Sequence, residues 1–109
     1  MADTFKVLGQ SLAVAGVLTD LYVVPALTSV TISSIVVANE SVNAGTFRIS
    51  IAVAGVVDNL KQYIYYNVQL MGNKTVALTL GITLGAADVV RVYSSTGNIA
   101  FNAFGVEIT

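Results

Sequence analysis

The stretch "TFRISIAV", residues Thr46–Val53, carries the clearest structural signal in the sequence. Apolar and polar side chains alternate along it, and a period of two is typical of a β-strand with one buried face. The apolar face would consist of Phe47, Ile49, Ile51 and Val53. Arg48 and Ser50 would lie on the opposite, outer face. The stretch therefore predicts a strand that packs on a core with one side only.

On either side of this strand, the chain alternates between short extended stretches and turn residues. We predict about eight strands: Thr4–Leu12, Leu18–Val24, Leu27–Ala38, Thr46–Val53, Lys61–Val68, Thr75–Leu80, Val89–Tyr93 and Asn98–Val106. No window shows a helical stripe, so the predicted fold class is all-β. We expect a single-domain antiparallel β-sandwich, either jelly-roll or immunoglobulin-like. Residues 13–109 would form the sandwich, and residues 1–12 would form an N-terminal strand or arm.

The same alternation assigns faces in the later strands. It predicts that Val76, Leu78 and Leu80 point one way, and that Ile99, Phe101 and Ala103 share one face. In the stretch "QYIYYN", Gln62–Asn67, it predicts that Tyr63 and Tyr65 share the outer face with Lys61 and Asn67, and that Tyr66 lies on the opposite, inner face with Ile64 and Val68.

The composition predicts an exposed apolar surface that contacts another molecule. Only 10% of the residues are charged, against roughly 25% in ordinary soluble domains. The hydrophobic fraction is 55%, and a small domain buries its apolar surface less completely than a large one. Part of that surface should stay exposed, which usually marks a contact site. The formal net charge of -1 argues against nucleic acid or an anionic membrane as the partner.

Residue types needed for catalysis are missing. The chain has no His and no Cys, which removes the commonest general base, the thiol nucleophile and the commonest metal ligands. The carboxylates Asp20, Glu40, Asp58 and Asp88 fall at predicted turns or strand ends, where such residues are ordinarily solvated or cap a turn. We therefore predict no enzymatic activity, no catalytic residue, no cofactor and no metal site.

The most apolar short stretch is Leu12–Leu18, "LAVAGVL". It is far shorter than the roughly 20 residues of a membrane-spanning helix, and Thr19 and Asp20 end it. It also lacks the basic region that precedes the apolar core of a signal peptide. These features predict an intracellular product that does not enter a membrane.

Tyrosines form the most informative side-chain set. Tyr63, Tyr65 and Tyr93 are predicted to face outward, with Arg91 beside Tyr93 and with Tyr22 in register with Asp20. Outward tyrosines can anchor a protein interface, stack on a sugar or base, or simply pair across strands. We predict that Tyr22, Tyr63, Tyr65, Arg91 and Tyr93 form a protein interface.

Five runs carry a family resemblance: "TDLYVVPALTSVTISSIVVAN" (19–39), "TFRISIAVAG" (46–55), "KQYIYYNVQL" (61–70), "GNKTVALTLGITLGAADVVRVY" (72–93) and "NIAFNAFGVEI" (98–108). Together they resemble the small virion structural proteins of tailed bacteriophages, over Thr4 to Ile108. The resemblance implies an all-β domain, many copies per particle and no enzymatic activity. It carries over no functional residues.

The apolar excess, the outward tyrosines and the resemblance together lead us to expect a capsid decoration or cement protein that stabilises the phage head by protein–protein packing. Its partners would be copies of itself, for example in a trimer, and virion proteins such as the major capsid protein. It would assemble in the host cytoplasm and reside in the virion, with residues Met1–Leu12 as an arm on an adjacent subunit. Two alternatives remain: a tail, collar, baseplate or fibre-associated module, and a carbohydrate-binding module for host attachment.

Overall fold

The computed structural model describes residues 2–109, and β-strands account for most of them. The strands are β1 Asp3–Leu12, β2 Thr19–Val23, β3 Ser29–Asn39, β4 Gly45–Ala52, β5 Tyr63–Leu70, β6 Thr75–Leu84, β7 Val89–Ser94 and β8 Ile99–Ile108. Two single 3₁₀ turns, Val53–Gly55 and Leu60–Gln62, lie between β4 and β5. The all-β prediction and the number of strands are confirmed.

The strands form two four-stranded antiparallel sheets, with the orders β1-β8-β3-β6 (sheet A) and β2-β7-β4-β5 (sheet B). Only β4 and β5 are neighbours in both sequence and sheet; the other connections cross from one sheet to the other. An immunoglobulin-like order would pair the first two strands in one sheet. The observed order is that of a jelly roll, an eight-stranded sandwich of two Greek keys.

The segment considered as a strand or an arm forms β1, which pairs with β8 from Asp3 opposite Ile108 to Leu12 opposite Ala100. Ala2 precedes β1 and exchanges two backbone hydrogen bonds of 2.9 Å with Thr109, and Met1 lies outside the described residues. β1 is therefore an edge strand of sheet A, held by the last strand of the chain.

The core lies between the two inner faces. Central strands bury their inward side chains completely, and the largest of these are Phe47, Phe101, Ile32, Ile35, Ile49 and Ile99. The predicted inward row of β4 is confirmed for Phe47, Ile49 and Ile51. Val53 does not continue that row. The strand ends at Ala52, the chain turns through Ala54 at a φ of 56°, and Val53 is exposed.

The segment from residue 53 to residue 62 folds back over the outer face of sheet B. Ala54 donates its backbone N–H to Asp88 Oδ1 at 2.8 Å, and Arg91 donates to the carbonyl of Val56 at 2.8 Å. The covered residues include Ser50, which is buried although its register places it on the outer face. Within residues 2–109, the Ser50 hydroxyl has no hydrogen-bond partner.

At the opposite end of the sandwich, Asn39 connects the loop between β3 and β4 with the loop between β5 and β6. Its buried amide donates to the carbonyls of Asn43 at 2.9 Å and Leu70 at 3.1 Å, and its Oδ1 accepts from the Ser41 N–H at 3.0 Å. Buried polar groups are stable only when paired in this way. Asn39 is therefore the last residue of β3 and, through its side chain, holds the turn that follows.

Candidate interaction surfaces

Arg48 is the centre of an aromatic cluster on the outer face of sheet B. Its guanidinium lies 4.3 Å from the ring centre of Tyr66 and 4.2 Å from that of Tyr93. Its Nε donates to Asn67 Oδ1 at 2.7 Å. We call Arg48, Tyr63, Tyr66, Asn67 and Tyr93 the Arg48 cluster. The cation–π contacts with Tyr66 and Tyr93, together with the hydrogen bond from the charged guanidinium to the neutral amide of Asn67, fix the arginine in place.

Irregular pairing of β5 produces this arrangement. Phe47 pairs with Val68 and Ile49 pairs with Tyr65, so Tyr66 and Asn67 together oppose Arg48. Two residues opposing one is the definition of a β-bulge, which bends the strand and redirects side chains. Asn67 takes a φ of 51°, a left-handed conformation that Asn tolerates better than most residues. A second bulge follows, because Ile49 and Ser50 pair with Tyr65 and Tyr63.

Tyr63 joins the cluster from its edge. Its ring packs against Tyr66 edge-on, with centres 5.1 Å apart, and its hydroxyl donates to Asp58 Oδ2 at 2.9 Å. Burial and this hydrogen bond to a carboxylate raise the pKa of Tyr63, although the nearby Arg48 opposes the shift. The phenol therefore stays neutral and anchors the 53–62 segment to β5.

Two predicted site residues, Tyr63 and Tyr93, are confirmed on the outer face, whereas Tyr65 is not. Tyr65 points inward and packs against Phe47, with ring centres 6.2 Å apart. The bulges reverse the faces that strict alternation predicts. Tyr66, which sequence reasoning assigned to the inner face, belongs to the cluster. Asn67, a residue type depleted in strands, was the one signal of a bulge.

The predicted outward position of Tyr22 is also wrong. In β2, Asp20 pairs with Arg91 while Tyr22 pairs with Val90, so Leu21 is an extra residue and Tyr22 turns into the core. Its hydroxyl donates to Glu107 of β8, which also forms an ion pair with Lys6 at 3.1 Å. The hydrogen bond from Tyr22, followed by that from Lys6, lowers the pKa of Glu107, and burial raises the pKa of Tyr22. Tyr22 therefore bridges the sheets.

Arg91 lies on the outer face of β7, as predicted, but its guanidinium is occupied within the chain. Nε pairs with Asp20 Oδ1 at 3.2 Å, and the two terminal nitrogens donate to the carbonyls of Val56 and Gly55. Its side chain is 16% exposed. Arg91 holds the 53–62 segment on sheet B, and its five donors suit that task better than a lysine would.

A second surface lies where the loops before β3, after β4 and before β7 meet. Asp88 joins two of these loops, since its carboxylate accepts from the N–H groups of Ala54 and Gly85, and the carbonyl of Val24 accepts from Ala87 N–H. Five large apolar side chains project from this end: Leu27, Val53, Val56, Val57 and Leu60, each at least half exposed. We call these five residues the apolar end. Leu27 is 93% exposed and has a φ of 57°.

A shallow depression of about 300 Å³ lies between β1 and β8. Gln10 and Asn102 both line it, and Gln10 donates to Asn102 Oδ1 at 2.7 Å. Across residues 2–109, no three His, Cys, Asp or Glu residues lie close enough to hold a metal ion. No helix in that same range is long and apolar enough to cross a membrane.

The two surfaces differ in their contacts: the rings of the Arg48 cluster pack on the arginine within the chain, whereas the five side chains of the apolar end are at least half exposed. No known protein family matches the chain, and a search of curated proteins finds no match either.

Proposed function

We propose that the chain is a non-enzymatic structural subunit of a tailed-phage virion, a capsid decoration protein that docks on the head through the apolar end. The observation that carries the proposal is the group of five exposed apolar side chains at that end. Contiguous exposed apolar surface usually marks a contact with another protein. The family resemblance supports a place in the virion in many copies, and on the head the partner would be the major capsid protein.

Leu27 adds a backbone argument. A bulky residue at positive φ costs about 1–2 kcal/mol, and glycine would avoid that cost. Leu27 contributes little to the core in return, because its side chain is almost fully exposed. Backbone strain at an exposed residue supports a role for that residue in binding a partner rather than in folding. Docking on a lattice would use the leucine side chain that folding does not.

Jelly rolls occur in viral capsid proteins and in lectins, so the fold is compatible with the head proposal and with the carbohydrate-binding alternative. The contacts within the Arg48 cluster disfavour the carbohydrate-binding alternative. Its Tyr66 and Tyr93 rings already stack on Arg48, so a sugar would have to displace an intramolecular contact. A tail, collar, baseplate or fibre location remains the nearest alternative, since it would use the same apolar end.

Copy number per particle separates these locations. We expect quantitative mass spectrometry of virions purified from the encoding phage to find the chain in hundreds of copies, and imaging to place it on the head. Tens of copies with altered tails in particles that lack the chain would assign it to the tail instead. Its absence from purified particles would refute the virion proposal altogether.

Docking through the apolar end can be tested by adding purified protein back to particles that lack it. Val57→Asp should weaken binding about tenfold or more, because a buried apolar contact becomes a desolvated charge. Leu27→Gly should also weaken binding while leaving the unfolding free energy unchanged or higher. Val14→Asp is the matched control, since Val14 is exposed in the loop between β1 and β2, outside the apolar end. Equal binding by Val57→Asp and Val14→Asp would exclude the apolar end as the docking site.

A further inference from the structure

The edges of the two sheets differ in how well they are protected against pairing with another chain. An edge strand offers unpaired N–H and C=O groups, and proteins usually blunt it with charge, bulges or short length. β2 has five residues and a bulge, and β5 has two bulges. β1 carries Asp3 and Lys6 and has a bulge between Val7 and Gly9.

β6 has few of these protections. It is ten residues long, "TVALTLGITL", with no charged residue and no proline. Its single irregularity against β3 lies at Leu80 and Gly81. Exposed and half-buried side chains alternate without a break from Thr75 to Ile82. Within residues 2–109, β3 is the one strand that pairs with β6.

The core is also incompletely covered beside β6. Its inward row, Val76, Leu78, Leu80 and Ile82, packs against the core but is only half-buried. The corresponding row on the neighbouring strand β3 is fully buried. A strand added at the β6 edge would therefore cover apolar side chains as well as satisfy backbone groups.

We propose that β6 pairs with β6 of a second copy of this chain, antiparallel across a two-fold axis, to join two A sheets into one continuous sheet. This inference is independent of a place in the virion. A second copy fits because the edge is uncharged and its pattern complements itself. Edge pairing of this kind makes a dimer, so the trimer expected above would not form through this edge.

The pairing register follows from the two-residue period. Residues directly opposite in an antiparallel pair point to the same face, so the inward row must meet the inward row of the second copy. Placing Thr79 on the axis pairs Leu78 with Leu80 of the second copy and Thr75 with its Thr83. Large aliphatic side chains then meet on the inner face, where Leu78 opposes Leu80 and Val76 opposes Ile82, and on the outer face threonines meet at positions 75, 79 and 83, with Ala77 opposite Gly81 between them.

Charge at position 79 tests both the edge and the register. Thr79 is exposed on the outer face, so Thr79→Lys and Thr79→Glu should leave the fold intact. In the dimer, either variant places two like charges opposite each other. We expect sedimentation to give twice the chain mass for the wild type and once the chain mass for each variant. An equimolar mixture of the two variants should restore the dimer.

Phe5→Lys is the matched control, because Phe5 is 82% exposed on β1, the other edge of the same sheet. It should remain dimeric. A second measurement uses the absence of cysteine from the chain: Thr79→Cys should form a disulfide between copies, since directly opposite strand residues lie within disulfide range. A monomeric wild type, a trimer, or a Thr79→Lys variant that stays dimeric would overturn the proposal.

Discussion

β5 and β6 follow each other in the sequence, and each is the last strand of its sheet, yet they treat their edges in opposite ways. β5 bulges twice, turning Tyr66 and Asn67 toward Arg48 and closing its outer face with contacts inside the chain. β6 keeps its alternation and leaves both its backbone edge and part of its apolar row uncovered. Neither strand carries a charged residue, so the comparison teaches that the difference lies in the side-chain contacts: those made by Tyr66 and Asn67 at the β5 bulge cover that edge, whereas the single bulge of β6 brings no such contact.

The largest expected effect is on the unfolding free energy, when a core side chain beside β5 or on β6 is shortened to alanine. Phe47 is 1% exposed and contacts both Tyr65 of β5 and Phe101 of β8. Phe47→Ala should reduce the unfolding free energy by about 3–5 kcal/mol, because it opens a cavity at the base of β5. In dilute protein, where the dimer proposed above is dissociated, Leu78→Ala on β6 should cost only about 1–2 kcal/mol, because less area leaves the core.

Urea denaturation of both variants measures the difference, with Val14→Ala as an exposed control that should change little. If Leu78→Ala proved as destabilising as Phe47→Ala, the β6 row would already be fully covered. In the dimer proposed above, that outcome would appear at high protein concentration and disappear on dilution. The pair of variants therefore also reports on whether the open edge is filled.

The second effect concerns the closed edge itself. Arg48→Ala removes both cation–π contacts and the hydrogen bond to Asn67, and should cost about 1–2 kcal/mol. Arg48→Lys keeps the charge but lacks the planar group that stacks between two rings, so it should recover less than half of the loss. Thermal unfolding of the three proteins checks this order. Full recovery by lysine would mean that charge alone holds β5.

Strand positions and most faces could be predicted from the sequence, because alternation records which side chains meet the core. The inward rows of β6 and β8 are as predicted, including Leu78 and Phe101. The prediction fails at Tyr22, Tyr65 and Tyr66, and each failure lies at a bulge. An extra residue changes which side chains near the bulge face the core, and alternation contains no record of it.

Strand order lay beyond the sequence for a different reason. Pairings such as β1 with β8 join residues about a hundred positions apart, and local patterns do not specify distant partners. The burial of Ser50 has the same origin, since it depends on Arg91 holding the 53–62 segment over the sheet. The candidate site was therefore only half predictable: its residue types and its face were visible, but its exact members were not.

The smallest expected effect is the pH dependence of the stability that the Tyr63–Asp58 hydrogen bond contributes at the β5 edge. Tyr63 donates to Asp58, and burial together with that bond raises its pKa above the ordinary value of 10.0. A raised pKa means that the folded state holds the phenol proton more tightly, so this contribution is complete below pH 10 and is lost as the pH rises further. Tyr63→Phe should cost about 0.5–1.5 kcal/mol near neutral pH.

The gap between wild type and Tyr63→Phe should then narrow above pH 10, because only the wild type has this proton to lose. The pKa of Tyr22 is also raised, but Tyr22 is present in both proteins, so its contribution cancels in the difference between their unfolding free energies. Urea midpoints at about pH 9 and about pH 11 measure this stability gap. The same pair compared in an Asp58→Asn background, which keeps an acceptor without the charge, should show a smaller narrowing of the gap. A gap that stayed constant or widened would mean that the Tyr63–Asp58 bond does not tie β5 to the covering segment. Closure of that edge would then depend on Arg48 alone, whereas on β6 no comparable side-chain bond exists to be titrated among the described residues.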